Sequence, residues 1–132
     1  MAERNAQRHG VADRLTLVES DCFSRLDPSV RFSLIASNPP YVADDELASL
    51  QPEVRDYEPR SGLVCGPDGL AIIRRLLIES PQFLRASGNF VFEIGFGQRD
   101  AVQKLIAPKG WKLLEIRKDL QGIARTIVLE KK

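Results

Sequence analysis

The 132-residue chain holds one histidine, two cysteines, one tryptophan and two tyrosines. A lone His9 leaves no metal site to assemble from histidines. Cys22 and Cys65 lie far apart and have no CxxC spacing, so neither a zinc ribbon nor a disulfide framework fits; two free thiols of a cytosolic protein are the expectation. No apolar run approaches membrane-spanning length, and Met1 leads into Ala2-Glu3-Arg4-Asn5 rather than a signal peptide. A formal net charge of +1 carries no general nucleic-acid footprint. Repeats and low-complexity tracts are also missing. With 43% hydrophobic and 28% charged residues, what remains is the composition of one soluble, cytoplasmic domain able to bury a core.

The chain is organised around Ser37-Asn38-Pro39-Pro40-Tyr41, which follows the apolar run Phe32-Ser33-Leu34-Ile35-Ala36. The run predicts a buried strand. Proline fixes φ and has no N–H, so pairing must stop at the double proline and the backbone stiffens. Asn38, standing before a proline, is pushed towards extended geometry. A rigid tip results at the carboxyl end of a strand, where open α/β sheets place their ligands. The Asn38 side-chain oxygen and the Pro39 carbonyl are two fixed acceptors, able to hold both hydrogens of a planar –NH₂ group, an amide or a base amine. Tyr41 adds a flat face for stacking. An amide nitrogen is a poor nucleophile because its lone pair is delocalised, and acceptors placed for a more tetrahedral nitrogen favour the transition state. Attack on an electrophilic methyl then needs mainly positioning. A plain strand-terminating turn with a capping Asn is the alternative that the motif alone leaves open.

Around this tip, Ala2–Arg8 predicts a polar helix capped by His9-Gly10. Leu15–Glu19 predicts a strand, and Leu26–Val30 a connection. The long stretch from Tyr41 to Gly69 has little apolar periodicity, with a short helix expected over Asp44–Leu50. In it Asp44, Asp45, Glu46, Glu53, Asp56, Glu58 and Asp68 face only Arg55 and Arg60, which repels a DNA backbone and tolerates a basic protein partner. Leu70–Leu84 predicts a helix with Leu70, Ile73 and Leu77 on one face and a kink or break at Pro81. After the turn Ser87-Gly88-Asn89 comes a second buried strand, Phe90–Ile94, and then a helix over Gln98–Ala107 stopped by Pro108-Lys109-Gly110. Trp111–Arg117 and Arg125–Glu130 predict a closing antiparallel pair. Strands alternating with helices, then a terminal strand pair, point to an open α/β sheet.

Glu93-Ile94-Gly95-Phe96-Gly97 sits between a strand and a helix, where a glycine turn can approach a cofactor. Arg99 stands where a third glycine is expected, so a tight strand-to-helix turn is the favoured role.

The Asn-Pro-Pro-Tyr tetrapeptide resembles the signature of methyltransferases that use S-adenosylmethionine to modify planar amino groups. Tyr57-Glu58-Pro59-Arg60, then Gly66-Pro67-Asp68-Gly69-Leu70, make the resemblance more specific, and it is to the release-factor glutamine methyltransferase family (HemK/PrmC). Arg8-His9-Gly10-Val11, Glu19-Ser20-Asp21-Cys22-Phe23, Glu93-Ile94-Gly95 with Gln98, and Asp119-Leu120 with Gly122 and Arg125 fit the same pattern in the same order. The resemblance implies methyl transfer from S-adenosylmethionine to the glutamine amide of the Gly-Gly-Gln motif of peptide-chain release factors. It implies that Asn38 and Pro39 hold that amide and that Pro40 and Tyr41 complete the pocket. It also implies that Asp21 and Cys22 lie near the cofactor adenine and that Asn38 borders the cofactor, and it gives Glu58 and Arg60 the ordering of the acidic loop.

On this resemblance residues 1–132 are a single truncated catalytic domain, its C-terminal part. The implied fold is a partial doubly wound, Rossmann-like methyltransferase sheet with an antiparallel C-terminal strand pair and its first two strands missing. Those two would sit between Leu15–Glu19 and Phe32–Ser37, leaving an edge that a dimer or strand exchange would cover. The chain alone is then expected to bind cofactor weakly and to be inactive. Two other readings stay open: a DNA or RNA adenine methyltransferase, which the acidic loop disfavours, and a non-enzymatic α/β interaction module.

Overall fold

A computed structural model describes residues 1–57, 59–106 and 110–132, without the side chains of Val54 and Ser61. Glu58 and the stop at Pro108-Lys109, both singled out above, lie outside the described residues. The chain divides into two compact units, Met1–Val30 and Arg31–Lys132, and each is described by itself.

In the first unit, helix α1 (Ala2–Arg8) ends as its sequence predicts. Gly10 takes φ +62, its N–H reaches the Gln7 carbonyl and the Val11 N–H reaches that of Ala6, a Schellman pair that satisfies the last carbonyls. Leu15–Glu19 departs from expectation. It forms no strand, and Leu15, Leu17 and Val18 stand 50%, 53% and 46% exposed. Alternation alone cannot make a strand, because a ladder needs a partner, and among the described residues these have none.

The second unit is built on one four-stranded sheet in the order β1-β2-β4-β3. Strand β1 (Phe32–Ser37) runs parallel to β2 (Leu84–Glu93), and β4 (Ala124–Lys131) is antiparallel to both β2 and β3 (Trp111–Lys118). Phe90 and Phe92 on β2 face Leu129 and Ile127 on β4, and all four are at most 1% exposed. Their neighbours Val91, Glu93, Val128 and Thr126 are only half-buried, so Phe90–Ile94 alternates instead of being buried throughout. β1 is not buried either. Among the described residues it pairs with β2 alone, and Leu34 is 55% exposed at this sheet edge. The turn expected at Ser87-Gly88 is a bulge inside β2, with Ser87 at φ +55 and the register jumping from Phe32–Leu84 to Leu34–Asn89.

Helix α4 (Ala71–Phe83) covers the buried face with Ile73, Leu76, Leu77 and Phe83. It passes through Pro81 without a break. Proline removes the N–H that would have met the Leu77 carbonyl, and that carbonyl is taken instead by the Trp111 indole N–H at 3.2 Å. Between β1 and α4 the described residues make short elements: a 3₁₀ turn at Leu47–Ser49, α2 (Pro52–Arg55) and α3 (Arg60–Leu63). Helix α5 (Arg99–Ile106) follows β2 and buries Val102 and Ile106. No helix among the described residues is long and apolar enough to cross a membrane.

Candidate functional site

The ladder of β1 stops at Ser37, and the tip beyond it forms one wall of a cavity of about 310 Å³. Asn38, Pro39, Pro40 and Tyr41 all line it, opposite Leu50, Gly62 and Leu63. Pro39 is buried, Pro40 and Tyr41 are half-buried and Asn38 is exposed. Among the described residues neither the Asn38 side chain nor the Pro39 carbonyl has a hydrogen-bond partner. That leaves two acceptors on a stiff tip with their hydrogen-bonding capacity unspent among the described residues. The facing wall is tied to the tip through the backbone: the Val42 N–H donates to the Leu63 carbonyl and the Cys65 N–H to that of Val42, both at 2.9 Å. This is how a loop nearly without regular structure holds a fixed distance from β1.

Tyr41 is held at both ends. Its hydroxyl donates to Glu93 Oε1 at 3.1 Å, and its main-chain carbonyl accepts from Gln98 Nε2 at 2.9 Å. Burial, with the Glu93 carboxylate second, raises the phenol above its ordinary 10.0, so the hydroxyl stays a donor at neutral pH. Gln98 Oε1 in turn accepts the Gly95 N–H at 2.8 Å. A Cβ on Gly95 would lie 3.0 Å from Gln98 Oε1 and 3.1 Å from the Tyr41 ring, so the space at Gly95 is filled by the protein's own side chains. The close approach that Gly95 permits is to Tyr41.

Beyond Tyr41 lies a wider hollow of about 770 Å³, bordered by Asp45, Glu46, Phe96, Gln98 and Arg125. Arg125 pairs with Asp119 at 3.3 Å, and Asp119 also accepts the Ile123 and Gln121 N–H groups. The Ile123 hydrogen bond leads in holding the Asp119 carboxyl below the usual range. Asp68, a few residues before α4, accepts the Leu70 N–H and pairs with Arg74, whose hydrogen bond lowers it to about 2.

Asp21 and Cys22 belong to the first unit. Asp21 lines a hollow of about 430 Å³ with Glu19, Ser20, Ser24 and Arg25, while the half-buried Cys22 sits beside it in sequence with φ +50. Sequence reasoning placed the four tip residues together but gave no part to Leu50, Gly62 and Leu63, the opposing wall. It also left the tie between Gln98 and Tyr41 unseen. The signal for that tie was Gln98 itself, a side-chain amide right behind a glycine turn.

No protein-family model matches the chain. Two solved methyltransferase structures share its fold: TrmN from Thermus thermophilus (TM-score 0.63, 18% identity, 99% of this chain and 32% of that one) and a methyltransferase from Pyrococcus furiosus (TM-score 0.59, 14% identity, 98% and 55%). The sheet is thus part of a Rossmann-like methyltransferase fold. Curated relatives are nearer in sequence. The release factor glutamine methyltransferase of Nitratidesulfovibrio vulgaris is 41% identical over 128 residues, 96% of this chain and 43% of the relative. Those of Geobacter sulfurreducens (41%; 96% and 44%) and Rhodopirellula baltica (38%; 99% and 45%) match equally broadly. The chain spans less than half the length of these relatives. It matches their C-terminal part over nearly its own whole length, and by that homology it is similar to the C-terminal part of release factor glutamine methyltransferases.

Proposed function

We propose that Asn38 and Pro39 seat the side-chain amide of a release-factor glutamine, that of its Gly-Gly-Gln motif, for methylation on nitrogen. The observation that carries this is the pair of unpaired acceptors on one rigid tip whose residues line a cavity together with Pro40 and Tyr41. The Asn38 oxygen and the Pro39 carbonyl each take one amide hydrogen, and their placement favours a nitrogen whose lone pair has left the carbonyl. Tyr41 lends its ring to the planar amide, with Glu93 fixing the ring's angle through the hydroxyl. No side chain has to remove a proton before attack.

S-adenosylmethionine supplies an electrophilic methyl group to this chemistry. Asn38 is the residue we assign beside that methyl. In the first unit, the Asp21 carboxylate on the rim of its hollow is the acceptor that an adenine amine requires, and we assign Cys22 to the same end. Gly95 itself offers it no close approach, since Tyr41 and Gln98 occupy the space there.

Asn38 and Pro39 would hold an adenine amine equally well. Asp44, Asp45 and Glu46, all exposed just past the tip, favour a protein substrate over nucleic acid. The test is a methylation assay with this sequence joined to the remaining length that its relatives have, offered a release factor or a DNA duplex. Label on the release-factor glutamine is expected, and label on adenine would overturn the reading.

A further inference from the structure

We propose that Gln98 is a positioning residue for the tip: it holds Tyr41 by the main-chain carbonyl so that the phenol meets Glu93 and the ring walls the Asn38 cavity. The inference deepens the amide-seat reading above and rests on it for its functional meaning.

Three observations converge. Gln98 spends both ends of its amide on backbone, donating from Nε2 to the Tyr41 carbonyl and accepting at Oε1 from the Gly95 N–H. The amide's orientation follows from its partners, because an N–H can meet only the oxygen and a carbonyl only the nitrogen. The tie joins the tip after β1 to the turn after β2, 57 residues apart in sequence. Glycines then clear the space: a Cβ on Gly69 would collide with the Tyr41 carbonyl and stand 2.8 Å from Gln98 Nε2. Finally, β1 is an edge strand whose ladder ends at Ser37, so backbone pairing to β2 gives Tyr41 no support of its own. A side-chain bond between two turns replaces it. A Pro-Pro tip is stiff within itself, but its angle to the sheet is set only where something grips it.

Tyr41 offers a direct readout that needs neither substrate nor cofactor. The chain has two tyrosines, Tyr41 and the exposed Tyr57, so the ring signals are few and separable. The charged groups acting on the Tyr41 phenol are Glu93 from β2 and Arg125 from β4, and Gln98 from the α5 side is neutral. Ring-labelled tyrosine NMR on the chain should therefore show Tyr41 titrating above the ordinary phenol value of 10.0. Gln98→Met keeps length and neutrality and removes the hydrogen bonds to Tyr41 and Gly95, along with the longer ones to the Asp68 and Gly69 carbonyls. The Tyr41 titration is expected to fall towards the ordinary phenol value while Trp111 fluorescence reports an intact core. A folded Gln98→Met protein whose Tyr41 titration stays in place would overturn the proposal. Gln98→Asn, polar but one methylene shorter, is the milder second variant and should give the same fall if Gln98→Met does not fold; an unmoved Tyr41 there would overturn it equally. Because no ligand is involved, failure here leaves the amide seat standing, and failure of the amide seat leaves this result unchanged.

Discussion

The indole N–H of Trp111 donates to the Leu77 carbonyl, the acceptor that Pro81 leaves without a helix donor. A defect written into α4 is thus met from β3, and the pair ties helix to sheet. Trp111→Phe should cost about 1–3 kcal/mol, from lost volume and from a buried carbonyl left unpaired. Pro81→Ala restores the helix's own donor, so the two changes should couple. In a urea-unfolding double-mutant cycle, the Trp111→Phe penalty is expected to shrink by about 1 kcal/mol on the Pro81→Ala background. Strict additivity would show that the indole bond does not stand in for the missing N–H.

That pair also shows what the sequence could and could not reveal. The Pro-Pro tip, the helix face of Leu70, Ile73 and Leu77, and the closing strand pair were legible because each depends on local chemistry and short-range period. Leu15–Glu19 failed because alternation states a face and not a partner. Pro81 reads as a kink or break from sequence, because the partner for the carbonyl it orphans lies 30 residues on, at Trp111. The tip's acceptors could be named from sequence, whereas its opposite wall and the Gln98 tie rest on contacts between distant turns.

Acid should loosen the chain between the tip and α4. Asp68 is lowered from 3.8 to about 2, with the Arg74 hydrogen bond as the leading cause and the Leu70 N–H next. A depressed carboxylate stabilises the fold above its unfolded value, and that contribution is lost as pH falls from about 4 towards 2. Urea midpoints measured across this window should drop less steeply in Asp68→Asn than in the parent. Both side chains are nearly half exposed, so high salt should narrow the difference. Identical pH profiles would remove Asp68 from the account.

Gly69 combines φ +66 with a Cβ position that the Tyr41 carbonyl already occupies. Gly69→Ala is expected to lower stability by at least about 1 kcal/mol, through the left-handed backbone alone, before any displacement of the carbonyl. Gly97, with a similar φ of +76 and no atom within 4 Å, is the control: alanine there bears the backbone strain without the collision. Thermal unfolding of the two variants should rank Gly69→Ala well below Gly97→Ala. Equal losses would mean that the close approach to Tyr41 carries no cost.

The measurement nearest the central claim is a two-dimensional NMR titration of the chain with a capped Gly-Gly-Gln peptide and with its Gly-Gly-Glu counterpart. The Asn38 side-chain NH₂ signals report the seat itself. The glutamine peptide should move them together with Tyr41, the glutamate peptide should not, and Asn38→Ala should abolish the Tyr41 response. A carboxylate brings no hydrogens to two acceptors, so the contrast reads the proposed chemistry directly. Equal shifts from both peptides, or none from either, would contradict an amide seat at Asn38 and Pro39.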